Sequence, residues 1–152
     1  MLAHWQGHRR LTRRIIEAFP EQELFTYAVG GMRPFSAMAI EMIGMCSAGI
    51  QGVATRDWPS ITTLPQHAKE GVPATKADLL AMWDATTETI NAAWPRIPAG
   101  RFEEMDKAFG QYEGRVLDLF LYFIENEIHH RGEGYVYLRS LGIAPHPFYD
   151  RA

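Results

Sequence analysis

Apolar residues recur along this chain with the period of an α-helix, and runs that alternate with the period of a strand are nearly absent. Thr75 and Asp78 have the spacing of a capping box, and Gly142 is placed to close a last helix. The pattern predicts an all-α fold with four long helices: 2–19, 34–54, a third from Thr75 to just before Pro95, and 113–141.

Two long connections separate these predicted helices. The one between the second and third helices is roughly 20 residues long and rich in Pro, Thr and Gly, which is enough for a crossover that makes these helices parallel neighbours. The other, 95–112, joins the third and fourth helices. We expect its charged residues to lie at the surface; they are Arg101, Glu103, Glu104, Asp106 and Lys107.

Polar residues interrupt two of the predicted helices. One face of the fourth helix is apolar at both ends but contains Asn126 and His130 in its middle. His129 is turned from His130 by about 100°, toward solvent or a partner. In the second helix, Glu41 is the only charged residue and has apolar helical neighbours.

A carboxylate on an apolar helix face must be protonated, pair with a cation or bind a metal, because burying it alone is costly. Glu41, Asn126 and His130 are therefore predicted to converge at one level of a helical bundle, where facing helices commonly build metal sites. His8 lies on the inward face of the first helix and could reach the same site as a fourth ligand, a donor to a ligand or a general base. The alternative for His8 is a helix-face histidine bonded to a backbone carbonyl or water.

Composition narrows the class of protein. The 152 residues suit a single domain, and a net charge of -3 gives no general reason to bind nucleic acid or an anionic membrane. Four arginines near the start, within 9–14, are expected on a solvated outer helix face. Cys46 is the only cysteine, and no signal core or uninterrupted membrane-length window is found, which predicts a cytoplasmic protein.

The C-terminal residues 129–133, 135–139 and 141–145, together with Trp5, the 33–35 entry of the second helix and the overall size, resemble the DinB/YfiT-like superfamily. That resemblance implies a four-helix bundle of up-down-down-up topology, usually homodimeric, and in many members three histidines bind a divalent metal. In this chain those positions fall at Glu41, Asn126 and His130, so two of the three histidines are replaced. The metal implied is Zn, Ni, Mn or Fe, and the oxygen donors shift the preference toward harder cations.

The resemblance implies a metal-dependent hydrolase or a thiol-dependent transferase that acts on a small molecule. A metal would activate water or a thiol, with Glu41 or His8 able to move the proton. Two alternatives remain open. The three polar side chains could form a metal-free hydrogen-bonded cluster, and the protein could be a non-catalytic dimeric bundle that binds a small ligand or a protein under stress.

Overall fold

The structure, a computed structural model, describes residues 1–68 and 71–152. Most of these residues are helical, which confirms that part of the prediction. The helices are α1 (Leu2–Ala18), α2 (Glu21–Thr26), α3 (Phe35–Thr55), α4 (Lys76–Ala93) and α5 (Val116–Ser140). A short antiparallel hairpin between α4 and α5, which the sequence pattern did not predict, consists of β1 (Met105–Ala108) and β2 (Tyr112–Arg115).

Local signals set the ends of two of these helices. The backbone N–H of Asp78 donates to the Thr75 hydroxyl at 3.1 Å, and that hydroxyl donates to the Asp78 carboxylate at 2.7 Å, so the predicted cap is present. After α5, Gly142 has a φ of 78°, and the Ile143 N–H donates to the carbonyl of Leu138 at 2.8 Å. This is the glycine-dependent closure expected at a helix C-terminus.

The four long helices pack as a closed set of neighbours. α3 packs against α4 and α5, and α1 packs against the same two helices. Near the start of α1 the Gln6 amide donates to Asn91 at 2.7 Å, whereas further along Arg13 donates to Asp84 at 2.7 Å. A residue later in α1 thus contacts a residue earlier in α4, so these two helices run in opposite directions.

Glycine allows α3 and α5 to approach closely at two points. A Cβ on Gly49 would lie 2.4 Å from the ring of Phe123, and one on Gly134 would lie 2.5 Å from the ring of Phe35. Each aromatic ring thus occupies the space that a side chain would need. The pairing of early α3 with late α5 shows that these helices are also antiparallel.

The apolar interior is divided into two clusters. One contains Trp5 and Phe120, and the other contains Phe35 and Trp83. Between them, every long helix contributes buried or half-buried polar side chains, which we call the polar layer: His8, Arg9 and Thr12 from α1, Glu41 from α3, Thr86 from α4, and Asn126, Glu127, His130 and Arg131 from α5. The polar interruptions seen in the sequence therefore belong to one level of the fold.

The apolar helix α3 is a core helix. It is long and apolar enough by composition to cross a membrane, but 78% of its most apolar window is buried inside the fold. Its neighbours α4 and α5 cover it. The structure therefore supplies no sign of membrane insertion for this helix.

The prediction that Arg101 lies at the surface is wrong. Its side chain is only 1% exposed, and its guanidinium donates to the carbonyls of Val53 at 2.9 Å and Gly52 at 3.2 Å, at the end of α3. It also binds the carboxylates of Glu104 and Asp106. Arg101 thereby ties the segment before the hairpin to α3.

The hairpin turn holds an aromatic residue in an unusual backbone conformation. Phe109 has a φ of 54° and Gly110 a φ of 69°, and the Gln111 N–H donates to the carbonyl of Ala108 at 3.0 Å. Two successive residues with positive φ values match the twist of a tight hairpin. Glycine adopts a positive φ readily, but a residue with a large side chain, such as Phe109, rarely does. Phe109 is nonetheless buried, with only 5% of its surface exposed, and its ring packs against Trp58.

Candidate functional site

Three of the predicted site residues meet in the polar layer. One carboxylate oxygen of Glu41 lies 3.1 Å from Nε2 of His130 and 3.3 Å from the side-chain nitrogen of Asn126. Two residues that the sequence analysis did not assign complete the group: Arg33 pairs with the other Glu41 oxygen at 2.7 Å, and Glu133 lies 2.6 Å from Nδ1 of His130. We call these five residues the Glu41 cluster.

The Glu41 cluster is charged as it stands. The hydrogen bond from His130, with that from Arg33, outweighs burial and lowers the pKa of Glu41 to about 2. Burial opposes the charged form of His130, but its hydrogen bonds to Glu41 and Glu133 dominate and raise its pKa above the ordinary value. An imidazolium can donate from both ring nitrogens, so a protonated His130 satisfies both carboxylates.

One buried acceptor in this cluster has no partner among the described residues. The side-chain oxygen of Asn126 is fully buried and accepts no hydrogen bond there. A buried unpaired oxygen is costly, and a cation or an N–H or O–H donor would satisfy it. In the structure Asn126 turns its amide nitrogen, and not this oxygen, toward Glu41. With the amide turned over, Glu41, Asn126 and His130 would supply two oxygens and one nitrogen, a donor set that suits a divalent metal once His130 has lost its proton.

A second arrangement of possible metal ligands shares His130. Ligand atoms of His129, His130 and Glu133 lie within 4.8 Å of one another. In this outer group Glu133 approaches Nδ1 of His130 and, at 3.6 Å, Nε2 of His129, whose side chain is 68% exposed. The outer group would use the opposite ring nitrogen of His130 from the Glu41 cluster, so the two arrangements can be distinguished.

The structure places His8 with other partners. Its Nδ1 accepts from Arg131 at 3.0 Å, and its Nε2 lies 3.2 Å from Nε2 of His4. Within residues 1–68 and 71–152 it makes no hydrogen bond to Glu41, Asn126 or His130. Burial, with the charges of Arg131 and other neighbours, lowers the pKa of His8 to about 4, which keeps it neutral.

A buried carboxylate lies near His8. Glu127 is fully buried, accepts from the Thr12 hydroxyl at 2.7 Å and lies 3.6 Å from Arg9 and 3.9 Å from Arg131. Burial raises its pKa against the opposing effect of these neighbours. The expectation of a solvated arginine face is wrong for Arg9, which is 1% exposed and stacks 3.6 Å from the ring centre of Trp83.

A cavity of about 890 Å³ opens beside Glu41. Arg33 and Glu41 lie in its wall, and Met45 and Phe123 supply apolar surface from α3 and α5. The segment before α4 contributes Ile61, Gln66 and His67, and the hairpin contributes residues 108, 109 and 112–114. Its size is typical of a small-molecule site.

Comparison with known proteins establishes the family, because the profile of the DinB family matches residues 1–152. The chain belongs to the DinB family. A DinB-like protein from Bacillus subtilis is similar in structure, with a TM-score of 0.75, 18% identity and coverage of 97% of this chain and 96% of that one. Another from Bacillus cereus has a TM-score of 0.75 and 13% identity, covering 97% and 95%. These identities show a shared fold only, and a search of curated proteins found no match.

The buried histidines of this DinB-family protein are expected to titrate far apart. The imidazole signals of His8 should shift near pH 4, whereas those of His130 should shift above its ordinary value of 6.5. Nuclear magnetic resonance titration measures both directly, and His8→Gln and His130→Gln assign the signals. Coinciding transitions near the ordinary value would contradict the hydrogen bonding described here.

These two shifts act oppositely on stability. The raised pKa of His130 stabilises the fold below pH 6.5, and this contribution is lost as pH rises through the folded-state value. The lowered pKa of His8 means that the unfolded chain takes up the proton first, so stability falls as pH drops from 6.5 toward 4.

Proposed function

We propose that this DinB-family protein binds a small molecule in the cavity and a divalent metal ion through Glu41, Asn126 and His130. One observation supports this above the others: Glu133 holds Nδ1 of His130 at 2.6 Å, which directs Nε2 toward Glu41, a residue of the cavity wall. A carboxylate on the far nitrogen is the usual way to orient a metal-binding histidine.

The proposed reaction class is metal-dependent hydrolysis or thiol-dependent transfer on a small molecule. A divalent metal bound there would supply Lewis acidity and a lower pKa for a coordinated water or thiol. Glu133 would keep the His130 ring in place, and Arg33 would neutralise the Glu41 oxygen that faces it. The proton on His130 competes with the metal, so binding should weaken as pH falls.

Metal titration of chelator-stripped protein tests this proposal. Zinc, nickel and manganese are titrated against a coloured competing chelator, with elemental analysis after dialysis. Glu41→Gln and His130→Gln should weaken metal binding more than about tenfold, because ligands matter at least as much as the groups that orient them. His129→Gln is the matched control and should bind like the unaltered protein.

Each contrary result has a distinct meaning. Loss of binding in His129→Gln but not in Glu41→Gln would assign the metal to the outer group. An unaltered protein that retains no metal at neutral pH would remove the metal from the proposal.

The second candidate is a metal-free ligand-binding protein. The observation in its favour is that Arg33, His130 and Asn126 already satisfy Glu41, with the Arg33 ion pair at 2.7 Å. A guanidinium this close also repels a second cation. For this candidate, Glu41→Gln and His130→Gln would change the melting temperature without changing metal content.

We further propose the bundle topology implied by the resemblance and the cytoplasmic location predicted from the sequence. The antiparallel contacts of α1 with α4 and of α3 with α5 support an up-down-down-up four-helix bundle. So do the contacts of Trp5 with Phe120 at 5.2 Å and of Thr12 with Glu127 at 2.7 Å, in which α1 and α5 run the same way. The single cysteine, Cys46, is buried and free, which is compatible with the reducing cytoplasm.

A homodimer is also proposed. Leu121, Ile128 and Val136 are 39%, 40% and 55% exposed and share one face of α5. Gly132 lies on the same face, and no atom of residues 1–68 or 71–152 lies near its Cβ position, so another chain could approach closely. Sedimentation should show a dimer that Ile128→Lys converts to a monomer, whereas Glu88→Lys, at an exposed position on α4, should leave the dimer intact. A monomer in the unaltered protein would contradict the proposal.

A further inference from the structure

Aromatic rings form much of the cavity wall. Phe109 and Phe123 are 5% and 1% exposed, and Tyr112 and Tyr122 stand at the rim with about half of their surface exposed, at 52% and 51%. Exposed aromatic residues around a concave site are typical of a surface that contacts a ligand. The negative faces of such rings attract cations.

The hairpin conformation contributes to this wall. Phe109 occupies a left-handed backbone conformation with a φ of 54°, where glycine or asparagine is usual. Its ring packs against Phe123 and Trp58, with centroids 6.3 and 5.6 Å apart, and lines the cavity. An unfavourable backbone conformation is thus retained at a residue that shapes the cavity, as is common at functional sites.

The charges around the cavity are predominantly negative among the described residues. Glu41, Glu113 and Asp118 supply carboxylates, and Arg33 is the one guanidinium in the wall. Arg33 is paired with Glu41. Glu113 directly follows Tyr112 in β2, and Asp118 lies one helical turn before Tyr122 in α5. Asp118 also pairs with Arg115 at 3.2 Å, outside the wall.

We propose that the cavity binds a protonated amine attached to an apolar body, with the amine between Glu113, Asp118 and the rim tyrosines. The apolar body lies along Met45, Phe109 and Phe123. This inference rests on the proposed function in that the cavity is the small-molecule site, and it names the chemical class of the ligand. It does not require a metal at Glu41.

A matched set of probes tests the charge preference. Phenylbutylamine, phenylbutanol and phenylbutyrate share one apolar body and differ in the charge of the head group. Titration calorimetry at neutral pH, with chelator-stripped and with metal-treated protein, should show the amine binding about tenfold more tightly than the alcohol, with the carboxylate weakest. The order should be the same in both preparations.

Variants locate the charge. Glu113→Gln and Asp118→Asn should each weaken amine binding several-fold and leave alcohol binding unchanged. Glu125→Gln removes the same charge from an exposed position on α5 outside the cavity and should change neither. Tyr122→Phe should retain the amine preference, because it keeps the aromatic face that attracts a cation. Tyr122→Leu removes that face and should reduce the preference.

The possible failures are separable from those of the metal proposal. If the alcohol binds as tightly as the amine, or the carboxylate binds most tightly, the inferred ligand class is wrong, whatever the metal titration shows. If none of the three probes binds the unaltered protein, the inference is overturned together with the ligand part of the proposed function. Metal binding by Glu41 and His130 is measured separately, and its result neither supports nor contradicts the inferred ligand class.

Discussion

Replacing Glu127 by alanine is expected to lower the free energy of unfolding by about 3–5 kcal/mol, the cost of removing one partner from a buried charged group. Arg9 and Arg131 would face an apolar void in place of a carboxylate 3.6 and 3.9 Å away. The Thr12 hydroxyl would lose its 2.7 Å acceptor as well. Urea unfolding followed by circular dichroism measures the loss.

Two further variants make this result specific. Glu125→Ala alters the same residue type on the same helix at an exposed position and should change stability by less than about 0.5 kcal/mol. Glu127→Gln keeps the shape of the side chain and an acceptor for Thr12, so its free energy of unfolding should lie between those of Glu127→Ala and Glu125→Ala. If Glu127→Ala were no less stable than Glu125→Ala, the buried carboxylate would contribute nothing to the polar layer.

Arg101→Ala is expected to lower the free energy of unfolding by about 3 kcal/mol, because hydrogen bonds from a buried charged donor are strong and their loss leaves acceptors unpaired. The carbonyls of Gly52 and Val53 lie at the C-terminal end of α3, where the helix dipole favours a positive charge. Asp106, which also accepts from the Trp58 indole at 3.0 Å, would lose its counter-charge.

The control for this variant is Arg115→Ala. Arg115 is 45% exposed, and water and salt screen its ion pair with Asp118, so its removal should lower stability far less than that of Arg101. Arg101→Lys should remain well below the unaltered protein in stability, since an ammonium cannot reproduce the planar fork that reaches two carbonyls and two carboxylates. Equal unfolding midpoints for Arg101→Ala and Arg115→Ala would show that the buried guanidinium does not anchor the hairpin segment.

The long helices could be predicted because they follow from helical period, and the meeting of Glu41 with Asn126 and His130 could be predicted because a buried carboxylate needs polar partners. A residue's face on a helix depends only on its position in the chain. The period also separated His129 from His130 correctly, since His129 is exposed and His130 is buried.

The misjudged residues depend on contacts between distant segments. Arg9 is buried because it contacts Glu127 and Trp83, and Arg101 is buried because it donates to carbonyls at the end of α3. A sequence pattern alone places an arginine at the surface, where most arginines lie. His8 was predicted to face inward and does so, but helix packing sets it beside Arg131. The hairpin has no alternating apolar pattern, and its turn places Phe109 where glycine is expected.

The cavity is walled partly by the helices and partly by the segments that connect them. Glu41, Met45 and Phe123 come from α3 and α5, whereas the residues of the hairpin and of 61–67 come from connections. Connecting segments tolerate insertion and exchange far better than packed helices do. Sequence changes confined to these two connecting segments could therefore alter which compounds bind, while the polar residues on the helices stay the same.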